Sequence, residues 1–202
     1  MTPEAQYRQK IQDVYRLEDE GQLEAALDRI REALRLADDP HVVTTLEEHL
    51  RLPHLLQRTG HPDAARREFR RLLREGYPDQ LDNPAIQWTE RGLIYDAMRR
   101  AFARDGQPVE AALYEGLSYL ADAYGQVLDP HQTGEQRSHV LSRERAEAVA
   151  AGMASALGDD PSEEEVTALL QQTANRFATA EAEFQPDEVE EKLRCLLGIV
   201  NP

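Results

Sequence analysis

Thiol chemistry is almost missing from this chain: Cys195 is the single cysteine in 202 residues. One thiol can close no intramolecular disulfide and build no thiolate metal cluster. Aromatic residues make up 6% of the chain, with one tryptophan, and only two of its 23 basic residues, Lys10 and Lys192, are lysines. No apolar run approaches the roughly 20 residues that a membrane-crossing helix needs. The opening Met1-Thr2-Pro3-Glu4-Ala5-Gln6 contains no apolar leader segment. No stretch alternates apolar and polar residues long enough to make a strand. A reducing compartment suits such a chain, and the expected location is the cytoplasm. Staples are unnecessary at this length, because about 70% of the extended-chain surface can be buried on folding.

Catalytic signatures are missing too. The chain has no glycine-rich phosphate loop, no GxSxG, no HExxH and no calcium-binding loop. Two zinc-binding histidines on one helix sit four apart so that they share a face, whereas His49 and His54 are five apart and diverge. His41, His61, His131 and His139 are read with them as surface or helix-end residues. Runs such as Glu163-Glu164-Glu165 read as helix starts. The expectation is a protein that is not an enzyme, has no catalytic residues, holds no metal and uses no cofactor.

Charge narrows the partners. The formal net charge is −15, distributed as −5 over residues 1–57, +3 over 58–104 and −13 over 105–202. That balance repels a phosphate backbone at long range, so nucleic acid is disfavoured as a partner and another protein is favoured.

Proline supplies the positive signal. Eight of the eleven prolines follow residues suited to the position before a helix, as in Thr2-Pro3, Asn83-Pro84 and Asp160-Pro161. Proline fits the first helical turn because its missing N–H would be unpaired there and its φ is already helical. Helices are therefore predicted over about 3–20, 22–37, 40–58, 62–75, 84–104, 108–127, 138–157, 161–183 and 186–199, with Pro3, Pro40, Pro62, Pro84, Pro108, Pro161 and Pro186 in first turns. Residues 129–135 read as a turn or linker.

Three inter-helix turns share a pattern: Gly21-Gln22-Leu23-Glu24-Ala25-Ala26, Gly60-His61-Pro62-Asp63-Ala64-Ala65 and Gly106-Gln107-Pro108-Val109-Glu110-Ala111-Ala112. The glycine ends one helix, the acidic residue meets the next helix dipole, and the alanines allow close approach. This resembles the tetratricopeptide repeat, in which a glycine turn precedes a small residue and a large apolar one follows four positions later. Ala26 with Ile30, Ala65 with Phe69 and Ala112 with Gly116 occupy those positions. Tyr95, Met98 and Phe102, and likewise Leu52 and Leu56, fall where the family places large residues in a first helix. The likeness covers about residues 7–128, with turns recurring after 39 and 46 residues against the family period of about 34. Pro53 stands at a small-residue position and predicts a kink.

The expected fold is all-α, with stacked antiparallel helical hairpins of a TPR-like α-solenoid over residues 1–128 and a C-terminal three-helix region over 129–202. In that region an alanine-rich helix spans Val140 to Leu157, and two apolar stripes follow: Val166, Leu169, Leu170, Ala174, Phe177, Ala180 and Phe184, then Val189, Leu193, Leu196, Leu197 and Val200. Either the stripes cap the repeats or they join a second protomer. Cys195 lies beside the last stripe and is expected to be buried.

The resemblance implies that the first helix of each hairpin lines a groove. The residues expected there are Tyr15, His54, Arg58, Tyr95, Arg100 and Arg104, with Gln57 and Asp96 beside them. The family's charged clamp uses a lysine and an asparagine where this chain has Ile11 and Tyr15, so a carboxylate clamp is not expected. A non-catalytic protein–protein interaction adaptor holding an acidic peptide or helix is the function expected, with a structural, self-associating homo-oligomer as the alternative. Outside the groove, Arg66, Arg70 and Arg74 form one row and Arg67 and Arg71 another. These rows read as a solvated outer face or as an anionic docking patch.

Overall fold

The computed structural model describes residues 1–157, 162–178 and 184–199. Among them every regular element is an α-helix: α1 (Pro3–Asp19), α2 (Leu23–Leu34), α3 (Leu46–Arg58), α4 (Pro62–Glu75), α5 (Pro84–Arg104), α6 (Pro108–Leu128), α7 (Gly134–Val140), α8 (Arg143–Leu157), α9 (Glu163–Ala178) and α10 (Pro186–Leu196). Each of the nine predicted segments holds a helix among its described residues, and short α7 runs from the end of the expected linker into the segment predicted over 138–157, which is broken before α8 begins at Arg143. Helix α7 forms because Thr133 and Gln136 make a reciprocal capping box. None of these helices is long and apolar enough to cross a membrane.

Local signals explain most helix starts. Pro3, Pro62, Pro84, Pro108 and Pro186 each occupy a first turn. The Thr2 and Asn83 side chains accept hydrogen bonds from the backbone behind them. Pro40 is a correction: it lies in a turn, and α3 begins at Leu46, where Thr45 and Glu48 form a capping box. That pairing satisfies two orphan donors, which a proline at residue 40 cannot do. Pro161 lies outside the described residues. Pro53 sits inside α3, which continues unbroken through it.

The three glycine turns have one geometry. Gly21, Gly60 and Gly106 have φ of 73°, 81° and 69°, in the left-handed region that favours glycine. In each, the next residue donates back five positions: Gln22 N–H to Leu17 O, His61 N–H to Leu56 O and Gln107 N–H to Phe102 O. Such a bond closes a helix end and sends the chain back along it. Ala26, Ala65 and Ala112 are buried just behind these turns.

The chain divides into two compact units, Met1–Leu81 and a second beginning at Asp82. In the first, α1, α2, α3 and α4 pack in sequence, each on the next, as stacked hairpins do. Its core is Tyr7, Ile11, Val14, Ile30, Leu55 and Phe69. In the second, α6 is central: it packs against α5, α8, α9 and α10. Thus α6, which follows the third repeat-like turn and pairs with α5, packs with the helices of residues 129–202.

Packing in the second unit relies on small residues. Ser118 Oγ donates to the Gly92 carbonyl at 2.9 Å, and a Cβ built on Gly125 would stand 2.9 Å from the Ala85 oxygen. Ala146, Ala150 and Met153 of α8 are buried, and α8 meets both α6 and α9. The C-terminal stripes are covered within this unit, because Val166, Leu170, Ala174, Phe177, Phe184, Val189, Leu193 and Leu197 are all buried. Leu169 and Leu196 are half-buried, and Ala180 and Val200 fall outside the described residues. Cys195 is exposed, contrary to expectation, because α10 turns Val189 and Leu193 inward instead.

Candidate functional site

The first unit brings two of the six expected residues into one cluster. Tyr15 and Glu18 lie one turn apart on α1, and Glu47, Arg51 and Arg58 share α3. The Arg51 guanidinium lies 3.8 Å from the centroid of the Tyr15 ring, within the range where the ring's negative face attracts a cation. Arg51 also donates to Glu18 at 2.5 Å and to Glu47 at 3.3 Å. Arg58 donates to the other Glu18 oxygen at 2.6 Å. Glu18 is therefore shared by two guanidiniums and is only 13% exposed, against 41% for Arg58.

Arg58 accordingly has its countercharge at hand. The cluster offers little net attraction for an anion, but it holds one aromatic ring and two planar guanidiniums in fixed positions. Side chains of these types, when preorganised, contribute disproportionately at protein interfaces. The His54 ring packs edge-on against Phe69, with ring centroids 6.0 Å apart.

In the second unit the expected residues part. Tyr95 is 4% exposed and stacks on Tyr114, with ring centroids 6.1 Å apart. Burial raises its hydroxyl pKa to about 12. This removes Tyr95 from the set able to touch a partner on the surface, because the 3.6-residue period that placed it on a first helix also put it on that helix's core face. Arg100 is about half exposed and paired with Asp96 at 3.0 Å. Arg104 ends α5.

Asp96 also belongs to a cleft of about 400 Å³ between α5, α6 and α8, lined among others by Arg99, Glu115, Asp122 and Arg145. Glu115 seats its carboxylate over Gly152, where a Cβ would come within 2.8 Å of it. Burial raises its pKa. Among the described residues no three His, Cys, Asp or Glu side chains converge as a metal site requires.

Reading the sequence alone missed a buried polar chain in the first unit. Thr44 donates its backbone N–H and its hydroxyl to Asp79, at 2.7 and 2.9 Å. Because the hydroxyl proton is spent there, His49 Nε2, 3.1 Å from Thr44 Oγ1, must be the donor of that pair. Burial keeps the imidazole neutral, and its buried Nδ1 has no hydrogen-bond partner among the described residues. His49 was expected at the surface, but it is 5% exposed. Its pKa falls from 6.5 to about 4, through burial first and then the charge of Arg71.

The unfolded chain takes up a proton below about pH 6.5 that the folded chain refuses. Stability is therefore full above that pH, declines as pH drops toward 4, and levels off below. At about 1.4 kcal/mol per unit, the loss between pH 6.5 and 4.5 is expected to be roughly 2–3 kcal/mol. His49→Gln keeps a donor for Thr44 and does not titrate. Urea midpoints at pH 7 and 4.5 should move less in that variant than in the wild type; equal movements would show that His49 titrates normally.

Compared with models of known protein families, with curated proteins and with solved structures, the chain matches none.

Proposed function

We propose that this chain is a non-catalytic protein–protein interaction adaptor of the cytoplasm that docks a peptide or helix of another protein on the Tyr15, Arg51 and Arg58 cluster of α1 and α3. The observation that carries the reading is the shared carboxylate of Glu18, bonded to Arg51 at 2.5 Å and to Arg58 at 2.6 Å, with the Arg51 guanidinium lying over the Tyr15 ring. Holding these groups in place before binding lowers the entropy lost when a partner arrives. Tyrosine and arginine are the residue types that most often dominate such surfaces.

Self-association through the C-terminal helices is the weaker reading, because the stripes it depends on are buried against the chain's own α6 and α8.

The test is affinity capture of the partner with the wild-type chain, followed by calorimetry with variants. Tyr15→Ala combined with Arg58→Ala is expected to weaken partner binding at least tenfold while helicity by circular dichroism stays unchanged. The pair Arg100→Glu and Arg104→Glu is the comparison. If only that pair abolishes binding, the contact belongs to the second unit and the proposal fails.

A further inference from the structure

The first unit has thirteen basic side chains, and nine of them find a carboxylate. Such pairing is the rule in a chain with 38 acidic residues. Among the described residues the exceptions are Arg35 and three residues of one helix, Arg67, Arg70 and Arg74, all exposed. On α4 the acidic residues are already committed elsewhere or point away. Asp63 pairs with Arg66 at 3.3 Å and Glu68 with Arg71 at 2.9 Å, while Glu75 follows Arg74 and so projects about 100° around the helix from it.

Spacing makes the three arginines a stripe. At 3.6 residues per turn, positions 67, 70 and 74 fall within an arc of about 60°, and at 1.5 Å per residue they span about 10 Å along the axis. The opposite face of α4 is spent on the core, where Ala65, Phe69 and Leu72 are buried. Three like charges at this spacing repel one another unless something anionic lies across them. The rest of the molecule is strongly acidic, so the stripe stands out as a local site of opposite sign.

We infer that the outer stripe of α4, formed by Arg67, Arg70 and Arg74, is a docking surface for an acidic peptide segment of another protein. Charge complementarity selects the occupant. A polypeptide with carboxylates spread over about 10 Å matches the stripe, whereas a long nucleic acid would have to approach a molecule of net charge −15. Guanidiniums suit the task, because each presents a planar fork that matches a carboxylate with two parallel hydrogen bonds. The surface is separate from the Tyr15, Arg51 and Arg58 cluster and does not depend on that cluster's role.

The probe is a fluorescein-labelled twelve-residue peptide of alternating glutamate and alanine pairs, titrated with the full chain at 50 mM salt and followed by anisotropy. Saturable binding is expected, about ten- to a hundredfold weaker in the triple variant Arg67→Gln, Arg70→Gln, Arg74→Gln. It should be lost at 1 M salt, where the Debye length is about 3 Å against 10 Å at 0.1 M. No binding at low salt, or equal binding by the triple variant, overturns the inference. Tighter binding of a twelve-nucleotide single strand also overturns it in favour of nucleic acid. So does salt-sensitive self-association that the triple variant removes while the peptide fails to bind. A photoreactive form of the peptide supplies a readout independent of the variant's folding: crosslinks should map within residues 62–75, and crosslinks confined elsewhere overturn the assignment.

Discussion

Gly125→Val should destabilise the second unit by about 3 kcal/mol, at the upper end of what overpacking costs. A Cβ at residue 125 would meet the Ala85 carbonyl oxygen at 2.9 Å, the Thr89 nitrogen at 2.9 Å and the Thr89 hydroxyl at 2.8 Å. Two of those three atoms are backbone, which cannot swing aside as a flexible side chain could. Helix propensity works the other way, but replacing glycine by valine gains only a few tenths of a kcal/mol, so the clash wins. The measurement is convenient because Trp88, the only tryptophan, packs against Tyr124 at 5.2 Å beside the altered residue. Its fluorescence in a urea titration should report an earlier midpoint. Gly134→Ala is the comparison: nothing lies within 4 Å of a Cβ there, and its midpoint should stay close to the wild type. An unshifted Gly125→Val would mean that α5 and α6 do not approach this closely.

Glu48→Ala is the second large effect expected, a loss of about 3 kcal/mol in the first unit. Glu48 is 6% exposed. One of its oxygens accepts from Tyr7 Oη and from the Thr45 N–H, both at 2.9 Å, and the other from Arg8 at 3.1 Å. Tyr7 is fully buried, and burial and then the bond to Glu48 raise its hydroxyl pKa. Removing the carboxylate strands that hydroxyl at about 1–3 kcal/mol and opens the capping box at about 1 kcal/mol. Arg8 contributes little, since it is half exposed and keeps Glu4 at 2.7 Å. Thermal melts by circular dichroism should show the loss, and Tyr7→Phe provides the decisive background. With the hydroxyl gone, Glu48→Ala should cost about 1–2 kcal/mol less. Equal costs in both backgrounds would show that the Tyr7 bond does not stabilise the fold.

Helix positions were the most legible part of the chain because their signals are local. Pro62, Pro84 and Pro108 open helices where predicted, and Gly21, Gly60 and Gly106 close them with positive φ. A cap or a turn is satisfied by groups within five residues, so the sequence around it suffices. Pro40 shows the limit. The same dipeptide logic applied there, yet the Thr45 and Glu48 box five residues later set the start of α3.

The candidate site was less legible. Tyr15 and Arg58 are both expected in the groove, but the carboxylate of the cluster they share, Glu18, lies 40 residues before Arg58 and nothing in its local sequence marks it. Tyr95 went to the core because Tyr114, on the following helix, offered a ring to stack on. For the arginines of α4, periodicity alone could state the rows; which of them were already paired depended on where Asp63 and Glu68 reach.

By itself the amino-acid sequence determined an all-helical chain, the positions of most helices, the three glycine turns and the burial of Ala26, Ala65 and Ala112 behind them, since each follows from hydrogen bonds and steric limits within a few residues. Only the tertiary structure decided that α6 packs with the C-terminal helices, that the two apolar stripes are covered by the chain's own α6 and α8, that His49 is buried and neutral, and that Arg58 is paired while, among the described residues, Arg67, Arg70 and Arg74 are not. Those outcomes depend on which distant surfaces meet, and a residue's own neighbours in the chain carry no record of that.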